Sequence, residues 1–155
     1  MSDDNFELKI AAGKLSFEQL GGRDILEKVS KIFYDKIYEH PWIGLYFQDV
    51  PQDVIESQQV DFMTSALGGP KVYLGKLPVA AHKHMLLDND IFDLREQLLN
   101  EALKEANACE ELILRWNKID EAFRAKIVKS SFSECEKRFK SDEILNFPNP
   151  TKKAS

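Results

Sequence analysis

Apolar residues recur every three or four positions along most of this chain, the spacing of amphipathic helices and not of strands. From about Asp24 to Glu39, Ile25, Val29, Ile32, Phe33 and Ile37 share one face. From about Gln52 to Leu67, Ile55, Phe62, Met63 and Ala66 form a second apolar stripe. Asp88 is placed to cap a helix from about Asn89 to Glu105. A last helix is expected from about Glu110 to Arg138, carrying Trp116, Ile119, Phe123 and Ile127. Shorter pieces lie between. Ser16 and Gln19 have capping-box spacing and open a very short helix stopped at Gly21-Gly22. Pro41 starts a brief turn through Phe47, and Pro78 sits in the first turn of PVAAHKHM. KVYLGKL reads as a loop after Gly68-Gly69-Pro70, and no segment alternates as a strand would. The expected class is all-α.

The bulk numbers set limits on this picture. A chain of 155 residues fits one domain, and 43% hydrophobic residues supply a core. An irregular extension is expected over residues 1–15, one helical domain over 16–140 and a flexible tail over 141–155. No apolar run approaches the ~18 residues of a membrane span, and MSDDNFELK lacks an export pattern. Net charge is −5 with dispersed lysines, so neither nucleic acid nor a membrane is an expected partner. Cys109 and Cys135 form no metal motif and fit reduced thiols in a cytoplasmic protein.

Two polar side chains interrupt the apolar faces. Gln59 lies in the middle of the second stripe, with Gln58 on its edge. A buried amide without partners costs about 1–3 kcal/mol, so Gln59 needs something to bond. Tyr34 sits beside Phe33 on the apolar side of its own helix, and a buried tyrosine hydroxyl also seeks a partner. The bland account is an ordinary core tyrosine bonded to backbone. Together the pair calls for each other or for something polar between them. Of three histidines, His40 in EHPW reads as surface. His82 and His84 are two apart on a helix and face nearly opposite ways, one inward and one to solvent. They do not share one metal easily, and zinc needs three or four ligands. A lone inward histidine is more often a satisfied core residue than a ligand, but a haem requires only one. No catalytic serine constellation or phosphate loop is present.

The segments LGGRD, FYDKIYEHPWIGLYF, QQVDFMTSALGGPKVYLGK and AAHKHMLLDNDIFD, in this order, resemble the truncated haemoglobins, the two-on-two globins. The likeness runs from about Gly21 to Leu103 and continues more loosely through the final helix. A glutamine at position 59 points to group I. The resemblance implies a two-on-two helical sandwich enclosing haem b, iron protoporphyrin IX. It makes His82 the iron ligand and leaves His84 outside. Tyr34 and Gln59, with Gln58 as a possible second amide, become donors to the ligand on the iron. Phe47 wedges the haem, and Ile55 stands where classical globins carry a histidine. Tyr73 and Lys76 approach the propionates. Phe62, Leu87, Phe92, Trp116 and Ile119 line the buried edges. Two departures stand out. Met63 replaces a bulky aromatic that gates an apolar gas tunnel in group I. Arg95 falls where an apolar residue is expected, which leaves snorkelling, pairing with a propionate or a register shift open.

The resemblance further implies reversible binding of dioxygen at ferrous iron, with carbon monoxide and nitric oxide as further ligands. Conversion of nitric oxide to nitrate would need an electron-donating reductase. A non-catalytic oxygen carrier, store or sensor, and peroxidase-like or nitrite-reducing chemistry, are the competing readings.

Overall fold

The structure is a computed structural model that describes residues 15–73, 75, 81–137 and 139–150. Among these residues there are four α-helices: α1 (Gly22–Glu39), α2 (Gln52–Ala66), α3 (Asn89–Glu105) and α4 (Glu110–Ile127). Helix α1 packs on both α2 and α3, and α3 packs on α4. Two packed pairs, α1 on α2 and α3 on α4, match the two-on-two helical sandwich that the resemblance implies. The described residues contain no strand, only an isolated bridge between Met85 and Leu145.

Local chemistry accounts for most helix boundaries. The capping box closes as its spacing predicts: Gln19 N–H donates to Ser16 Oγ at 3.1 Å, and Ser16 N–H to Gln19 Oε1 at 2.9 Å. It secures a single turn, with no room for a longer helix, because Gly21 follows at φ 119°. A Cβ there would come within 2.7 Å of Ile25 Cγ2, so only glycine fits. Helix α2 ends in a Schellman motif, with Gly69 N–H on Thr64 O at 2.8 Å and Gly68 N–H on Ser65 O at 3.3 Å. Helix α3 begins as expected, Asp88 accepting from Ile91 N–H at 3.0 Å. It ends on the same type of motif, with Asn107 at φ 60° in the left-handed position.

Helix α4 stops well short of the expected Arg138, a residue outside the described set. Val128 is extended, and Lys-Ser-Ser-Phe-Ser follows. Serines compete for backbone hydrogen bonds and end the helix cheaply. The chain then turns back over the segment that follows His82. Leu86 N–H donates to Leu145 O and Leu145 N–H to His84 O, both at 2.8 Å. Trp42 Nε1 donates to Phe147 O at 2.6 Å, and the Phe147 ring stands edge-on to Tyr46. The core beneath is continuous through Phe33, Met63, Leu99, Leu103, Leu112 and Trp116.

Candidate functional site

A cavity of about 300 Å³ lies among α1, α2, the segment around His82, α3 and α4. Its lining is mainly apolar, with a few polar heads placed by the helix period. Helix α1 contributes Tyr34: the turn that buries Phe33 and Ile37 also turns this side chain inward, leaving it 4% exposed. Its ring is fixed by Phe33 at 4.8 Å and by an edge contact with Phe47 at 6.0 Å. Phe47 is held in turn by Tyr38, whose hydroxyl donates to Val50 O at 2.7 Å.

Helix α2 contributes Ile55, Gln58, Gln59 and Phe62 to the lining. Gln59 is half-buried and Gln58 exposed at the rim. Neither the Tyr34 hydroxyl nor the Gln59 amide makes a hydrogen bond among the described residues, although both face the cavity. Burial pushes the Tyr34 pKa far above its ordinary value, so the hydroxyl keeps its proton and acts as a donor.

His82 lines the same cavity from the chain between α2 and α3, with Leu87 and Phe92 beside it. It closes the last described helical residues before the chain turns, and Met85 N–H donates to its carbonyl at 3.0 Å. Phe62 stands edge-on to Tyr73 at 5.3 Å, which brings Tyr73 to the lining as well. Lys76 lies outside the described residues.

Four expectations are corrected. Met63, Trp116 and Ile119 do not line the cavity: they are buried one layer behind it, in the packing between helices. The helical stripe that carries Phe62 to the cavity carries Met63 past it into the core. His84 is not at the surface but 3% exposed. The helix ends at His82, and the returning segment around Leu145 covers the turn that carries His84.

Arg95 neither snorkels nor marks a break, since α3 runs unbroken through it. Its Nη1 pairs with Glu96 at 2.6 Å and Asp120 at 2.7 Å, and the guanidinium lies 5.1 Å from the Phe33 ring centre. Both Arg95 and Asp120 line the cavity. Burial works against the Arg95 charge, but Asp120 and then Glu96 outweigh it and raise the pKa further. The Glu96 carboxyl is pushed up to about 8, first by burial and then by the Asp120 carboxylate, against the pull of Arg95.

Lys129 is a residue the sequence did not single out. It is 9% exposed, and its ammonium donates to His82 O at 3.0 Å, Met85 O at 2.9 Å and Ile127 O at 3.1 Å. Its own N–H donates to Leu87 O at 2.8 Å. The segment that carries His82 is thereby tied to the chain beyond α4. The described residues hold no cluster of three or more His, Cys, Asp or Glu that could take a bare metal ion. A single imidazole beside an apolar cavity suits a prosthetic group that brings its own remaining donors.

Residues 15–128 match the family model for bacterial-like globins. A group 1 truncated haemoglobin from Tetrahymena thermophila is 35% identical over 119 residues, which cover 77% of this chain and 92% of the relative. The crystal structure of the truncated haemoglobin from Tetrahymena pyriformis, in its Fe(III) form, superposes with a TM-score of 0.67. It is 32% identical, covering 74% of this chain and 97% of that one. The two-on-two haemoglobin from Synechococcus sp. PCC 7002, in the cyanomet state with covalently attached haem, gives a TM-score of 0.66. Its identity is 26%, over 72% of this chain and 96% of that one.

Proposed function

The chain belongs to the bacterial-like globins, as a truncated haemoglobin of group 1, and from that premise we propose that it binds dioxygen reversibly and converts nitric oxide to nitrate. Its cofactor is haem b. The residues present fit that group: one imidazole at His82, an apolar lining through Phe47, Ile55, Phe62, Leu87 and Phe92, and hydrogen-bond donors at Tyr34 and Gln59. When bound, haem supplies an iron that takes up dioxygen in its ferrous state and can pass both oxygen atoms to nitric oxide as nitrate.

His82 would hold the iron through its imidazole, and Lys129 holds the backbone that presents it. Phe47, braced by Tyr38 and Tyr34, would pack against the haem. Tyr34 and Gln59 orient a diatomic guest by donating to it. A net hydrogen bond contributes about 1 kcal/mol, and more where the acceptor gathers charge. At about 1.4 kcal/mol per factor of ten, two donors slow escape of the guest roughly a hundredfold. The apolar remainder of the lining limits water and favours small neutral gases. Repeated conversion of nitric oxide to nitrate would require an electron-donating reductase as a partner.

The observation that carries this reading is that Tyr34 and Gln59 both face the cavity without a hydrogen bond among the described residues. Stopped-flow mixing of the oxygenated protein with nitric oxide tests it. Loss of the oxygenated spectrum within milliseconds, with stoichiometric nitrate, is expected. A spectrum that persists for seconds under excess nitric oxide overturns the dioxygenase reading and leaves reversible oxygen binding.

A further inference from the structure

The Arg95 cluster has no part in the function proposed above, yet it lines the same cavity as Tyr34 and Gln59. We infer that the cavity carries an anion-selecting subsite, in which Arg95, anchored by Asp120 and Glu96, joins Tyr34 and Gln59 in holding a small monovalent anion of the azide or nitrite kind. The inference rests on the reading of the cavity as a haem pocket and adds a ligand class to it.

A guanidinium has five N–H groups and accepts nothing. Nη1 alone meets both carboxylates, at 2.6 and 2.7 Å. Nη2 and Nε make no hydrogen bond among the described residues, and the side chain keeps 24% of its surface open. These donors join the two already open at Tyr34 and Gln59, whose side chains offer donors from α1 and α2 while Arg95 offers them from α3. The Phe33 ring at 5.1 Å and the paired carboxylates fix the guanidinium in place. A preordered fork of this kind suits a small anion with lone pairs at its ends.

Arginine stays charged when buried, where lysine or histidine would shed its proton. Two carboxylates beside it would turn the cluster negative if both were ionised. The raised Glu96 pKa keeps that carboxyl protonated at neutral pH, so one cation faces one anion. An incoming anion therefore meets unspent donors without net repulsion. In a mainly apolar cavity such charge-assisted bonds are strong, whereas neutral carbon monoxide gains little from them. An aliphatic residue at 95 would pack against Phe33 with no ion-pair desolvation, so stability alone does not call for this cluster.

Optical titration of the ferric, haem-loaded protein with sodium azide and with sodium nitrite tests the subsite, with carbon monoxide on the ferrous protein as the neutral control. Arg95→Met is expected to weaken both anions at least tenfold and to change carbon monoxide affinity less than twofold. Arg95→Lys, which keeps a cation beside Asp120, is expected to lose less. The double variant Glu96→Gln/Asp120→Asn removes both carboxylates that face Arg95 and is expected to strengthen both anions at least threefold, a change of opposite sign that keeps the test decisive if Arg95→Met does not fold. Unchanged anion affinity in Arg95→Met or in the double variant overturns the subsite, as does an equal loss for carbon monoxide. His82 is intact in every variant. A wild-type chain that takes up no haem overturns the pocket reading and the subsite with it, whereas equal affinities in haem-loaded variants overturn the subsite alone.

Discussion

The Lys129 ammonium donates to the backbone carbonyl of His82 at 3.0 Å, across 47 positions of sequence. The contact lies one residue beyond the end of the family match at 128. With the bonds to Met85 and Ile127, it ties the carbonyl end of α4 to the segment that carries His82. Lys129→Met preserves the length of the side chain and removes the donors. It takes the donor from the Met85 and Ile127 carbonyls, at about 1–3 kcal/mol, while His82 O retains Met85 N–H. Haem loss to a scavenging apoglobin is expected to accelerate roughly tenfold, since about 1.4 kcal/mol equals a factor of ten. Lys129→Arg, which retains donors, should recover part of this. An unchanged rate of haem loss would show that the segment is held without Lys129.

Tyr34 stands in edge contact with Phe47 at 6.0 Å, so its ring survives removal of the hydroxyl. Tyr34→Phe therefore tests the donor and not the packing. Oxygen dissociation is expected to speed up by roughly tenfold or more, the effect of one hydrogen bond to a polarised acceptor. Carbon monoxide, which polarises less, should dissociate within about twofold of the wild-type rate by the same reasoning. Equal acceleration for both gases contradicts the hydrogen-bond account.

What the sequence disclosed and what it concealed follow one physical line. Features set by neighbours within a turn were legible: the face of α1, the Asp88 cap, the Ser16–Gln19 box and the glycine endings. The polar interruptions at Tyr34 and Gln59 were visible because the period placed them on apolar faces, and the structure brings both to the cavity. Contacts across helices were not legible. Arg95 reaches Asp120 over 25 positions, and that pairing depends on how α3 and α4 sit against each other. Asp120 read as one more helical carboxylate. Met63, Trp116 and Ile119 were assigned to the pocket because apolar residues look alike in sequence, whether they face a cavity or the layer behind it. The burial of His84 depends on the returning chain at Leu145, which the expected long final helix would have carried away.

Glu96 supplies a pH dependence with a definite sign. Its carboxyl titrates at about 8 in the folded chain, against an ordinary value of 4.5. Arg95 on α3, Asp120 on α4 and Tyr34 on α1 are the charged or titratable groups tied to the cluster. Between those two pH values the folded state holds a proton that the unfolded state has lost. Raising the pH through that window therefore reduces stability, by at most about 1.4 kcal/mol per pH unit, and the loss levels off above pH 8. Glu96→Gln cannot ionise. Unfolding at a series of pH values should show the variant gaining stability relative to wild type as pH rises from neutral toward 8. Parallel curves would mean that Glu96 is already ionised in the folded chain.

His82 and His84 give the sharpest separation at the site itself. His82 lines the cavity, whereas His84 is buried outside the lining, beneath the turn that Leu145 covers. Under the proposed function, only the first would hold the haem iron. His82→Ala removes the imidazole and leaves a space beside Leu87 and Phe92. Stable haem uptake is expected to be lost, as read by the Soret band after gel filtration. Added imidazole should restore it, because a small molecule can enter the space the side chain vacates. His84→Ala should retain the wild-type Soret band, with a loss of stability alone from the cavity it leaves. Unchanged haem affinity in His82→Ala, together with loss in His84→Ala, would transfer the axial role to the second histidine.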